Sequence, residues 1–359
     1  MISDKYLIKK DSDIDEVSRV LMDGKISGTS DVVKLYECLL ANYFGVSKAV
    51  AVSSGTAAIH CALYAAGVNE GDEVIMPCTA PMMTALPILL MKAKIVFCDT
   101  NGVNFGMDIS DLSRCITKRT KVVIDVPMWG YPTNAAEIAR YCRECGVVFI
   151  QDSAQAHGTI DGGRFSGTIG DIGCFSTHDR KLLSTGEGGF ILTNDVAIAQ
   201  KIKRFINFGG MTGDSIGTNY KLSSVQAALG ISRITSIAEQ VRDRTENAKY
   251  LLKSFDKSIF TEVHYTQDSA PNYYSLALLY RGSQTTGREI AQDMNSLGIP
   301  SDVYRYNYRP LYEYKLFAPY ARVCRQSEEL IKKLITLSVH PGLARTELET
   351  IRNYIGKIE

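Results

Sequence analysis

The stretch that decides the fold is Gly173-Cys174-Phe175-Ser176-Thr177-His178-Asp179-Arg180-Lys181-Leu182-Leu183-Ser184-Thr185-Gly186-Glu187-Gly188-Gly189. A short apolar run, 172–176, ends in a hydroxyl at Ser176, and a lysine follows five residues later. A glycine-rich turn then leads into a second apolar run, 189–193. Moving outward, the same kind of run recurs at 49–52, 73–76, 94–98, 121–126 and 147–151. Helix-patterned segments such as 56–66, 135–145 and 196–205 separate them. This alternation predicts an α/β fold, a mostly parallel sheet covered by helices. Many of the runs end in small or polar residues, at the strand ends where open α/β sheets place their ligands.

The texture changes after residue 222. A long helical pattern over 223–252, without a strong breaker after Gly230, reads as a bridge to a second unit. Beyond it, 273–281 reads as a strand, 287–297 as a helix, and 328–337 and 345–355 as further helices. The expected organisation is a large domain over 1–235 and a smaller C-terminal α+β domain over 236–359.

Composition narrows the classes. With 359 residues the chain can bury a large core, and its net charge of +1, from scattered lysines and arginines, argues against nucleic-acid or membrane partners. The N-terminus interleaves charges with apolar residues and lacks the apolar core of a signal peptide, so a cytoplasmic location is expected. Nine cysteines fit that expectation, since Cys61, Cys98 and Cys174 lie in apolar runs as reduced thiols would. Cys142 and Cys145 form a CxxC, but no second pair or nearby histidine completes a metal site, and none is expected.

Four constellations carry chemistry. Ser53-Ser54-Gly55-Thr56-Ala57-Ala58 follows a strand and opens a helix, where backbone N–H groups can meet a phosphate; an ordinary capped helix start is the alternative. The run from Val147 to Gly158 ends its strand at Asp152, and a buried carboxylate there needs a cation or several donors, unless it caps the next turn. The stretch quoted first offers Ser176 to a phosphate and Lys181 to the aldehyde of the same cofactor. Gly217-Thr218-Asn219-Tyr220-Lys221-Leu222-Ser223 places Asn219 on a glycine-flanked turn before a tightly packing helix.

Taken in order, these residues resemble the DegT/DnrJ/EryC1/StrS family of pyridoxal-phosphate sugar aminotransferases, which have the aspartate-aminotransferase fold type I. The resemblance runs from Leu21-Met22-Asp23-Gly24-Lys25-Ile26-Ser27-Gly28 to Ser338-Val339-His340-Pro341-Gly342-Leu343. It implies that Lys181 holds the cofactor as a Schiff base and later shuttles a proton, and that Asp152 partners the pyridinium nitrogen. Gln155 would lie beside the phenolic oxygen, and Ser54, Gly55, Thr56, Ala57 and Ser176 around the phosphate. Asn219 would reach the phosphate of a neighbouring subunit, implying a homodimer with shared active sites. Where the family stacks an aromatic residue on the cofactor ring, this chain has Pro81 and Met82. The family's Asn-Tyr-Arg becomes Asn219-Tyr220-Lys221, which keeps the charge and loses the guanidinium fork. His178 reads as a turn or interface histidine.

The resemblance further implies glutamate or glutamine as amino donor and a keto-sugar acceptor, nucleotide-linked. Tyr304, Arg305 and Arg309 occupy the family's C-terminal substrate loop, where arginine can pair with phosphates and tyrosine can pack on a sugar. A cyclitol aminotransferase, a cofactor-dependent dehydratase or a non-catalytic cofactor-binding paralogue are the alternatives. Some deoxygenating relatives carry histidine where Lys181 stands, and the intact set Lys181, Asp152, Gln155 and Ser176 speaks against a non-catalytic role.

Overall fold

A computed structural model describes residues 1–358. After an extended N-terminal segment come α1 (Asp11–Asp23), α2 (Asp31–Phe44), β1 (Lys48–Val52), α3 (Gly55–Ala65), β2 (Glu73–Pro77), α4 (Met82–Leu90), β3 (Lys94–Cys98) and α5 (Ile109–Cys115). The chain continues through β4 (Thr120–Asp125), α6 (Ala135–Glu144), β5 (Val148–Asp152), a small hairpin of β6 (Ile160–Asp161) and β7 (Arg164–Phe165), β8 (Ile172–Ser176), β9 (Gly189–Thr193) and α7 (Val196–Phe205). Then follow α8 (Ser224–Arg233), α9 (Ser236–Leu252), β10 (Phe260–Glu262), β11 (Leu276–Tyr280), α10 (Gly287–Ser296), α11 (Asp302–Arg305), α12 (Arg325–Lys333), β12 (Leu334–Leu337) and α13 (Arg345–Ile355).

Seven strands form one sheet in the order β1-β9-β8-β5-β4-β2-β3. The pairs β2–β3, β2–β4, β4–β5 and β5–β8 are parallel, whereas β9 runs antiparallel to both β1 and β8. In the centre of the sheet Val122, Val123 and Ile124 have no exposed surface. A strand covered on both faces must be apolar at consecutive positions, so short Val/Ile runs are legible there without alternation. The smaller sheet, β10-β11-β12, is antiparallel and lies in the C-terminal part. Among the described residues no helix is long and apolar enough to cross a membrane.

Three expectations about elements need correction. The pattern over 223–252 is two helices, broken at Ile234-Thr235. There the Ser236 hydroxyl donates to the Arg233 carbonyl at 2.5 Å, while Ile234 and Ile237 turn into a core with Tyr36 and Leu40. A side chain that takes over a backbone acceptor lets the helix change direction. The expected helix over 328–337 ends at Lys333, and Leu334–Leu337 is a fully buried strand paired with β11. Four apolar residues read equally well as helix or strand, and pairing with β11 decided between them. The expected strand over 273–281 is shorter, because Tyr273 sits at φ +52° and pairing begins only at Leu276.

Candidate active site

The carboxyl ends of β1, β2, β4, β5 and β8 open on one cavity of about 580 Å³. Ser54 caps α3, its hydroxyl accepting from the Ala57 N–H at 3.0 Å. The N–H groups of Gly55 and Thr56 precede any intrahelical acceptor, which leaves them to an outside partner. Gly55 also lies hard against β8: a Cβ built there would fall 2.7 Å from the Ser176 Cβ. The missing side chain thus brings the helix start and the Ser176 hydroxyl to one place, which suits a phosphate.

Asp152, at the end of β5, is buried and accepts from the Thr84 hydroxyl at 2.6 Å and the Ala154 N–H at 3.2 Å. Burial raises its pKa, partly offset by these bonds and by the positive charge of Lys181. A carboxylate so placed is short of a cation. Lys181 follows β8 in a turn closed by its N–H to the His178 carbonyl at 2.9 Å, and its amine lies 4.9 Å from the Tyr274 ring centroid. Burial lowers its pKa to about 8, against the opposing pull of Asp152 and Asp302. About a tenth of it is then neutral amine at pH 7, the form a nucleophile or base requires.

The structure brings Ser54, Gly55, Thr56, Pro81, Met82, Asp152, Gln155, Ser176, Lys181, Arg305 and Arg309 to the cavity lining. Ala57 stays beneath it, with its amide committed to Ser54. Tyr304 is exposed outside the lining, on α11. Asn219 also lies outside the cavity of its own chain, exposed and paired by a β-bridge with Asn207. His178 lines the rim with its Nδ1 3.1 Å from Asp179, as fits a turn histidine.

Sequence reasoning missed Trp129, Tyr274, Asp302 and Arg180 as lining residues. Trp129 is held at φ +51°, a costly conformation for an aromatic residue. Its N–H donates to the Gln155 Oε1 at 2.7 Å, and its side chain lies near the Asp302 carboxylate, where it partly offsets the rise in pKa that burial imposes. The Ser275 hydroxyl also donates to Asp302, at 2.9 Å. The available signal was that the chain's one tryptophan stands just past a buried strand that faces the site. Elsewhere, Cys98, Asp111 and Cys115 place possible ligand atoms within 4.8 Å of one another. The Asp111 carboxylate there is already taken by Arg322 at 2.5 Å, Arg114 at 2.9 Å and the Asp99 N–H at 2.8 Å.

A helix start aimed with a hydroxyl at one point, a desolvated carboxylate and a buried amine together fit a flat cofactor with a phosphate, a ring cation and a carbonyl. Pyridoxal phosphate has those three features, and the class is that of the pyridoxal-phosphate-dependent aminotransferases. The chain belongs to the DegT/DnrJ/EryC1/StrS aminotransferase family, whose model matches residues 8–356. It is 28% identical to GDP-perosamine synthase of Caulobacter vibrioides over 91% of this chain and 90% of that protein. It is 29% identical to UDP-N-acetyl-3-dehydro-alpha-D-glucosamine 3-aminotransferase of Acidithiobacillus ferrooxidans, over 89% of this chain and 86% of that protein. Among solved structures, an aminotransferase from Psychrobacter cryohalolentis superposes with a TM-score of 0.90 at 25% identity, covering 99% of this chain and 98% of that one.

Proposed function

We propose that this protein moves an amino group from glutamate or glutamine to the carbonyl of a nucleotide-linked keto-sugar. The observation that carries the nucleotide link is Arg309. Its guanidinium lines the cavity, stacks 4.1 Å from the Tyr314 ring centroid and has no ion-pair partner among the described residues, and its Nε is buried without a hydrogen bond. A partly buried guanidinium with an unsatisfied donor and no counter-ion is left to an outside anion, and a diphosphate would supply the charge and the acceptors. The related perosamine and glucosamine enzymes are named for sugars carried on GDP and UDP.

When bound, pyridoxal phosphate supplies the electron sink for the pair left by a departing α-proton and carries the nitrogen between the two substrates. The chain's residues do the rest. Gly55, Thr56 and Ser176 hold the phosphate, with the Ala57 amide and Ser54 fixing the helix start. Asp152 keeps the ring nitrogen protonated, and Thr84 and Ala154 fix its carboxylate. Gln155, oriented by Trp129, would lie beside the phenolic oxygen, and Pro81 and Met82 would offer the ring apolar surface. Lys181 would hold the cofactor at its carbonyl carbon and, as a free amine, would be placed to move a proton at the donor's α-carbon.

Asn219 serves the site of a neighbouring subunit. The same segment exposes Phe208, Met211 and Ile216, apolar side chains of the kind a partner covers. The reading places the enzyme in the cytoplasm, in keeping with nine free cysteines of which only Cys38 and Cys145 are exposed.

The test separates the two half-reactions. Arg309→Ala should weaken use of nucleotide-linked keto-sugars by about tenfold to a hundredfold, the scale of one charge-assisted contact, and leave the half-reaction with glutamate within about twofold. A free cyclitol or unphosphorylated sugar outcompeting every nucleotide sugar, with Arg309→Ala silent, would leave the aminotransferase and remove the nucleotide.

A further inference from the structure

The N-terminal segment before α1 lies beside the cavity, against the lining residues Arg180 and Arg305, and is seated there. Ile2 and Ile8 are buried at its two ends. The Ile2 N–H donates to the Gly298 carbonyl at 2.9 Å, and the His340 ring bonds the Ser3 carbonyl at 2.9 Å while stacking on Tyr6. Room is made for it: a Cβ at Gly342 would fall 2.7 Å from the Tyr6 ring. The His340-Pro341-Gly342 run therefore acts as the seat of this strap.

Between its anchors the strap meets the turn that carries Lys181 through crossed charges. Asp4 pairs with Arg180 at 3.2 Å, and Lys5 pairs with Asp179. Arg305 from α11 contacts the same Asp4 oxygen, Oδ2, so two guanidinium groups from separate parts of the chain converge on one point at the cavity rim. Both arginines line the cavity, and the three side chains are at least 60% buried. Two converging arginines form an anion site, and a carboxylate of the chain itself fills it.

We propose that Arg180 and Arg305 form an anion subsite at the cavity mouth, that Asp4 occupies it in the resting enzyme, and that an anionic group of the substrate displaces Asp4 on binding. This rests on the aminotransferase reading and adds a control on access. Displacement breaks one of the two charge pairs that tie the strap to the Lys181 turn, so substrate binding loosens the strap where the chemistry occurs. The anion is either the diphosphate of the acceptor or a carboxylate of the donor. The fixed position of the site favours neither, and the experiment separates them.

Calorimetric titration of the cofactor-loaded protein with UDP, GDP and glutarate tests this without turnover. Asp4→Asn keeps the length and polarity of the side chain and removes its charge. It should tighten UDP and GDP binding by about tenfold if the diphosphate takes the subsite, or glutarate binding by a similar factor if the donor carboxylate does. Arg180→Ala in the Asp4→Asn background should abolish that gain. Unchanged or weaker binding of all three probes by Asp4→Asn would overturn the strap as an internal counter-ion. If Arg309→Ala still weakened UDP and GDP in that case, the nucleotide reading would stand without it.

Discussion

His157 shows what one buried side chain does to this enzyme's response to acid. Its ring lies 5.2 Å from Phe175 and 5.9 Å from Phe190, and neither ring nitrogen has a hydrogen-bond partner among the described residues. Burial pushes its pKa down to about 3. The unfolded chain therefore binds a proton below the ordinary histidine pKa that the folded chain refuses. Stability from this group is whole above that value and falls as the pH drops through the window toward about 3. Near pH 5 the loss is about 2 kcal/mol. Urea unfolding of wild type and His157→Leu at pH 7 and pH 5 measures it: the variant should lose about that much less on acidification. An identical pH response would mean the imidazole titrates freely. The sequence placed His157 beside Asp152 and Gln155 but carried no sign that it faces a phenylalanine stack, because Phe190 arrives from a strand far along the chain.

At the scale of elements, the start of α3 is the part on which cofactor binding depends most directly. Gly55→Ala would drive a methyl toward Ser176 and push the helix start away from β8. Both are packed strand and helix ends, so the gap cannot open without moving the cradle. Cofactor affinity in a spectroscopic titration should fall by about tenfold or more, with the thermal midpoint changed by only a few degrees. Unaltered affinity would show that the close approach of α3 and β8 is packing alone. Elements were legible where local pattern and tertiary environment agree, as at β3, β8, β9, α7 and α13, whose ends match the expected ranges. They were misread where a short apolar run served either geometry, as at Leu334–Leu337. The two-residue break between α8 and α9 left no mark in composition, because Ile234 and Thr235 keep helical dihedrals.

At the scale of the molecule, the cavity draws on both sheets' connections: Lys181 and Asp152 follow strands of the large sheet, while Tyr274 and Asp302 come from the C-terminal part. Of the expected site residues, Asn219 and Tyr304 lie exposed outside the cavity of their own chain, and that exposure leaves Asn219 available to a second subunit. Mixing Asn219→Ala chains with Lys181→Ala chains tests this. In a mixed dimer one site carries both lesions and the other neither, so activity should recover to roughly a quarter of wild type at equal mixing, if half of the dimers are mixed and each has one working site of two. No recovery despite proven subunit exchange would place Asn219 in its own chain's site or outside any.

The sequence alone determined the alternation of strands and helices over the large sheet and the polar residues near its strand ends, Asp152, Gln155, Ser176 and Lys181 among them, because each is written in a short run with local consequences. Alternation sets the layers, and a polar residue at the end of a buried strand marks the site edge. Only the tertiary structure decided that Trp129 meets Gln155, that Tyr274 lies against Lys181, and that Asp4 closes on Arg180 and Arg305. These contacts link residues far apart in the chain, and no periodicity or spacing encodes them. They exist because strands and loops remote in sequence are packed side by side, and the charges and hydrogen-bonding groups so enclosed must find partners there.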